Sequence, residues 1–172
     1  MVKILLVLML AIGGLFALDN GVYKINRVVD GDTVTILQND KEVKIRLAFI
    51  DTLESAKNTR AKNMSIKCKI DIEDIIEDGL KSKAFLKQLI LNKEVNIVFY
   101  GIDDTGTRLV GEIFFIDDPE SINIKMIKEG NAMPYIYYIK KFKKDVNYYK
   151  SIAIGNENEI TSDTCVRNLL GY

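Results

Sequence analysis

The sequence contains no histidine, and that absence removes whole classes of chemistry. Ser-His-Asp and Cys-His nucleophile systems, His-ligated zinc and every hydrolytic site that uses imidazole as its base are excluded. Catalysis in this chain must run on carboxylates, Arg, Lys, Tyr or Cys. A surplus of either charge is missing too: 24 Lys and Arg face 24 Asp and Glu, so no global field attracts or repels polyanions. Cysteine is scarce at two residues, and neither lies near the N-terminus, which excludes attachment of a lipid there. The longest apolar run, Ile4 to Leu18, is 15 residues, short of the ~20 that a membrane span requires. At 48% apolar and 28% charged residues, the composition excludes disordered, collagenous and polytopic membrane classes. A length of 172 residues accommodates one domain.

The N-terminus carries Lys3, the apolar run, and the small residue Ala17 before Leu18-Asp19-Asn20. This is the grammar of a cleavable signal peptide over residues 1–17, with an uncleaved signal anchor as the alternative. Cleavage predicts export to the periplasm, cell envelope or medium, with no stable membrane association afterwards. It leaves 23 basic against 24 acidic residues. In an oxidising compartment Cys68 and Cys165 are a candidate disulfide, the alternative being two partly buried thiols.

From Gly21 to Phe49 apolar residues alternate with period two, in the segments Val22–Val29, Thr33–Leu37 and Val43–Leu47. Asp30-Gly31-Asp32 and Gln38-Asn39-Asp40-Lys41 form turns between them, so the segment reads as an antiparallel meander. Residues 57–70 are rich in Lys and Arg and read as an exposed loop. Helical periodicity follows over 71–91, with Gly79 expected to divide two pieces. Strands are predicted at 95–100 and 109–115. A further helix is expected to open at Asp118-Pro119 and close at Gly130. The order predicts an α+β, mainly β domain over 18–172: a five-stranded OB-fold-like barrel with two to three helices.

Four motifs stand in one order: Asp30-Gly31-Asp32-Thr33, Ile45-Arg46-Leu47, Asp51-Thr52-Leu53-Glu54 and Gly106-Thr107-Arg108-Leu109-Val110-Gly111. Together with the segment Ile122–Ala132, they resemble the staphylococcal-nuclease-like (thermonuclease) family over about residues 21–138. The chemistry of the residues is consistent with that resemblance. Hydrolysing a phosphodiester without histidine requires a hard cation held by oxygen donors, a carboxylate for water, and guanidinium groups for phosphoryl charge. The resemblance implies that Asp32, Asp51 and the carbonyl of Thr52 bind Ca²⁺, with Asp30 close by. It implies that Glu54 is the general base or water-positioning carboxylate, and that Arg46 and Arg108 bind phosphate. Planar forks bind phosphate in a way that Lys does not.

Tyr135-Ile136-Tyr137-Tyr138 falls where the family places tyrosines that touch phosphate and stack on the base. Tyr135 and Tyr137 match if one residue is deleted after Ala132; Ile136 and Tyr138 match without a gap. Three departures stand out. Leu53 replaces the family's usual Pro, the 57–78 connection is long, and the C-terminal segment 148–172 is atypical. The expectation is an exported, Ca²⁺-dependent nuclease, a monomer acting on DNA and RNA and leaving 3′-phosphates. The alternative is a non-catalytic OB-fold module that binds nucleic acid.

Overall fold

The computed structural model describes residues 18–156, 161 and 163–170; the leader expected over 1–17 lies outside them. Strands β1 (Gly21–Asp30), β2 (Thr33–Gln38) and β3 (Lys41–Leu47) are followed by the two-residue β4 (Ile50–Asp51) and by helices α1 (Thr59–Cys68) and α2 (Ile72–Ile90). Strands β5 (Glu94–Ile102) and β6 (Leu109–Phe114) come next, then α3 (Ile122–Lys128) and β7 (Met133–Pro134). Helices α4 (Ile136–Lys141), α5 (Val146–Ala153) and α6 (Thr164–Leu170) complete the described chain.

The five long strands close into a barrel in the order β1-β2-β3-β6-β5. The β2–β3 hairpin turns on Asn39 and Asp40, both at positive φ, the backbone that a two-residue hairpin needs and that Asn and Asp tolerate. Closure depends on a parallel pairing of β3 with β6, Ile45↔Leu109 to Leu47↔Gly111. Ile25, Val34, Ile36, Ile45, Leu47, Val95, Ile97, Val110 and Ile113 fill the core. Asn123 locks α3 to the barrel: its Oδ1 accepts from the Ile113 N–H at 3.0 Å, and its Nδ2 donates to the Ala48 carbonyl at 2.7 Å. The expected five-stranded OB-like barrel is therefore present.

The helices differ from expectation. Six occur among the described residues, rather than two or three. Residues 57–70 are not a loop but contain α1, whose cap Asn58 accepts from the Ala61 N–H and whose Ala61 and Met64 are buried. Gly79 does not divide α2, which runs unbroken for 19 residues. The cap of α3 is Ser121, which accepts from the Ile124 N–H; Asp118 and Pro119 lie in the turn before it.

A second, smaller core explains α1. Leu53, Ala61, Met64, Ile75, Met133, Val166 and Leu170 cluster apart from the barrel interior, joining α1 and α2 to α6. The structure bonds Cys68, the last residue of α1, to Cys165 of α6. The atypical C-terminal segment is thus docked at two places: Tyr149 and Ala153 enter the main core, and Val166 and Leu170 the second. No helix among the described residues is long and apolar enough to cross a membrane.

Candidate active site

The site forms where the β1–β2 turn, β3 and β4 meet. Arg46 lies opposite Thr33 in the β2–β3 register, between Ile45 and Leu47, whose side chains are in the core. Its guanidinium joins two acids, with Nη1 2.6 Å from Asp32 Oδ2 and Nη2 2.8 Å from Asp51 Oδ1. The Asp32 carbonyl accepts from the Leu47 N–H at 2.7 Å, which pins the turn to the end of β3. Asp51 returns toward Arg46 because the chain bends at Phe49, a non-glycine residue at φ 68°. Such a backbone is unfavourable for a bulky residue, and it is held by the fully buried Phe49 ring against Tyr100, Phe142 and Tyr149. Pairing of β4 with β7 and a 2.7 Å hydrogen bond from the Tyr135 N–H to the Phe49 carbonyl then bring α4 alongside.

A pocket of about 220 Å³ opens here, lined by Asp30, Asp32, Arg46, Thr52, Leu53, Glu54, Arg60 and Arg108. Asp51 lies buried beside it, joined to Arg46 and Arg60. The five polar residues singled out from the sequence, Asp32, Arg46, Asp51, Glu54 and Arg108, therefore converge from four separate segments. Tyr135 and Tyr138 face Arg46, with its guanidinium carbon 5.4 and 5.9 Å from their ring centres. Tyr137 is half-exposed beyond Tyr135 and beside Lys141. One tyrosine from each of the two alignments thus stands at Arg46.

One supporting acid and a third arginine were not anticipated. Arg60 of α1 pairs with Asp51 and with Glu54; its segment carries so few apolar residues that it read as loop. Asp103, in the turn between β5 and β6, accepts a hydrogen bond from Arg108 Nε at 2.8 Å and so aims that guanidinium, whose Nη1 lies 3.4 Å from Thr33 Oγ1. Glu112 stands apart, bonded to the Tyr100 hydroxyl at 2.8 Å.

Burial raises the Asp32 and Asp51 carboxyl groups, opposed by Arg46 at Asp32 and by Arg60 and Arg46 at Asp51. For Arg46, burial works against the charged form, but the two aspartates outweigh it and keep the guanidinium protonated. Burial would also raise Asp103. Hydrogen bonds from Arg108, Thr105 and the backbone N–H groups of Thr107 and Arg108 outweigh it and hold the group at about 2. A lowered carboxyl group adds stability above its unfolded value near ~3.9, and that stability is lost as pH falls through the folded value. Asp103→Asn is therefore expected to cost about 2 kcal/mol at pH 7, with the difference from the parent closing near pH 2. Urea midpoints at the two pH values measure it, and a penalty that does not depend on pH would refute the ion-pair account.

α2 braces the acidic loops from behind. A Cβ on Gly31 would lie 2.8 Å from the Thr52 hydroxyl and from Ser82 Cβ. A Cβ on Gly79 would lie 2.3 Å from the Glu54 carbonyl oxygen and 2.4 Å from its carbon. Alanine normally strengthens a helix by about 1 kcal/mol over glycine. Here the sign reverses, because the added methyl meets backbone. Gly79→Ala is expected to destabilise by about 3 kcal/mol and to displace Glu54; denaturant unfolding checks this, and a stabilised variant would contradict the contact.

The acidic side chains gathered here, Asp32, Asp51 and Glu54, offer only oxygens to a cation; Asp51 is engaged by Arg46 and Arg60, and Asp32 by Arg46 and Thr33. Such a set suits hard ions such as Ca²⁺ or Mg²⁺ and not zinc. Cys68, Asp163 and Cys165 also lie together, but sulfurs bonded to each other offer no thiolate.

Residues 44–155 match the family model described as staphylococcal nuclease homologue; Arg46, Asp51, Glu54 and Arg108 fall within the match and Asp32 before it. Among curated proteins, an uncharacterized endonuclease of Escherichia coli is 27% identical over 115 residues, covering 67% of this chain and 61% of that protein. An uncharacterized protein of Methanocaldococcus jannaschii is 34% identical over 121 residues, covering 66% and 58%. A micrococcal nuclease of Shigella flexneri is 27% identical over 134 residues, covering 74% and 66%. The chain thus spans about three fifths of the length of the first two.

Proposed function

The chain belongs to the staphylococcal nuclease homologue family, and from that premise we propose that it is an exported, Ca²⁺-dependent nuclease hydrolysing phosphodiester bonds of DNA and RNA. The observation that carries this reading is the convergence of Asp32, Arg46, Asp51, Glu54 and Arg108 from separate segments on one small pocket. A module that only binds nucleic acid has no chemical need for that combination of acids and guanidinium forks. The relatives named as nucleases support the same reading.

Asp32, Asp51 and the Thr52 carbonyl would hold the cation, which when bound supplies Lewis-acid stabilisation of phosphoryl charge. Glu54 orients a water and accepts its proton as the oxygen attacks phosphorus. Arg46 and Arg108 neutralise the charge that develops on the non-bridging oxygens. The bond from phosphorus to the 5′-oxygen breaks and the departing oxygen takes a proton from solvent water, leaving a 3′-phosphate on one product and a 5′-hydroxyl on the other. Tyr135 offers an aromatic face for a base, with little preference among bases. Export is supported by the apolar N-terminal sequence and by the Cys68–Cys165 bond, since disulfides persist in oxidising compartments.

Incubation of the purified protein with single-stranded DNA in Ca²⁺, in Mg²⁺ and in chelator tests the reading. Cleavage in Ca²⁺, none in chelator and products ending in 3′-phosphate are expected. Intact DNA in every condition, from folded protein that still binds it, would favour the binding module instead.

A further inference from the structure

Glu54 sits in a loop whose stiffness does not come from its own backbone. The family's usual Pro is replaced by Leu53, which frees φ at that position. Leu53 is instead buried in the second core against α1 and α2. From the first turn of α1, two side chains then reach back to Glu54. Asn58 serves twice: its Oδ1 accepts from the Ala61 N–H at 2.9 Å, capping the helix, and its Nδ2 donates to Glu54 Oε2. Arg60 Nη1 donates to Glu54 Oε1 at 3.0 Å and to Asp51 Oδ1 at 3.2 Å, while Nη2 donates to Asp51 Oδ2. Both oxygens of Glu54 are therefore held by one helix terminus. Arg60 also ties that carboxylate to Asp51, and the other end of the helix is bonded to α6 through Cys68.

We propose that Arg60 is a positioning residue of this site, holding Glu54 and Asp51 in one arrangement and limiting by its charge how tightly the site takes a divalent cation. The first part rests on the nuclease reading above; the second does not. A free glutamate side chain samples many rotamers, and fixing it removes an entropic cost that would otherwise fall on the chemical step. Misplacement of a reacting group by 1 Å costs up to ~100-fold in rate. The charge acts separately. Asp51 is shared between Arg46 and Arg60, so a cation binding there competes with Arg60 and is repelled by it. With a side chain that is 39% exposed, that repulsion is screened, leaving an effect of about tenfold on affinity rather than the far larger value of a dry site. Lysine separates the two parts, since it keeps the charge but lacks the planar fork that reaches both acids.

The test compares the full-length parent with Arg60→Gln, Arg60→Lys, Glu54→Gln and the Arg60→Gln/Glu54→Gln double variant. Calorimetric titration with Ca²⁺ and kinetics on a single-stranded DNA oligonucleotide are read for each, with thermal melts to establish folding. Arg60→Gln is expected to bind Ca²⁺ about tenfold more tightly. At saturating Ca²⁺ its kcat is expected to fall about 10- to 100-fold with KM within about threefold of the parent. In the Glu54→Gln background the same substitution is expected to lower the rate far less, the signature of a residue that acts mainly through Glu54, with the remainder carried by Asp51. Arg60→Lys is expected to keep the parent's Ca²⁺ affinity and still lose the rate. Unchanged or weaker Ca²⁺ binding by Arg60→Gln would overturn the charge role. A full rate, an equal loss with Glu54 replaced, or a raised KM at unchanged kcat would overturn the positioning role. A parent that cleaves nothing defeats the nuclease reading and the positioning role with it, while the Ca²⁺ titration still decides the charge role.

Discussion

Glu54→Gln is expected to lower the cleavage rate by about three orders of magnitude, within the range that a positioned general base contributes, while the protein remains folded. Glutamine keeps the length and shape of the side chain and an acceptor oxygen for Arg60. What it removes is the negative charge and the basicity that draw a proton from water. The fold should tolerate the change because Glu54 belongs to neither hydrophobic core. Its partner Arg60 retains Asp51, so no guanidinium is left unpaired. Single-turnover cleavage at saturating Ca²⁺, beside a thermal melt, measures the effect. A rate within threefold of the parent would remove Glu54 from its proposed role and leave Asp30, which lines the same pocket, as the acid to test next.

Breaking the Cys68–Cys165 bond is expected to cost about 4 to 5 kcal/mol of stability, the value that loop entropy gives for a bridge spanning so much chain; here the separation is 97 residues. The location adds to the effect. α6 contributes Val166 and Leu170 to the second core, and the bond is its covalent tie to α1. If the helix leaves, Leu53, Ala61 and Met64 lose part of their cover, and the loop bearing Asp51 and Glu54 loses the side that keeps it still. Denaturant unfolding with and without reductant, and of the Cys68→Ser/Cys165→Ser variant, measures the loss. Activity should decline with it at temperatures where the parent is unaffected. A reduced protein as stable as the oxidised one would show that the second core holds α6 unaided.

The local rules of the chain made much of this molecule legible. Period-two alternation over 21–49 identified the three meander strands, because one face of each strand must meet the barrel interior. The five polar residues of the pocket were legible through the motifs that carry the family resemblance, and each lies in or beside a turn or strand end whose conformation is set within a few neighbours. The register of the tyrosines was not decidable in the same way. Tyr135 and Tyr138 are brought to Arg46 by pairing of β4 with β7 and by the start of α4, and neither depends on the spacing of tyrosines alone.

By itself, then, the sequence determined a chain without histidine, a five-stranded barrel and, through its family motifs, the acids and arginines that meet at one pocket. Tertiary structure alone decided the rest. The parallel pairing of β3 with β6 joins residues about sixty positions apart, and hydrophobic patterning specifies which face of a strand is buried but not which strand lies beside it. α1 stayed hidden because its buried face is only Ala61 and Met64, too narrow to stand out against its many charges. What covers that face, Val166 and Leu170, lies a hundred residues further on. Arg60 enters the site only because that distant packing turns the start of the helix toward Glu54. Contacts of that kind are a property of how separate segments meet, and no window of sequence contains both partners.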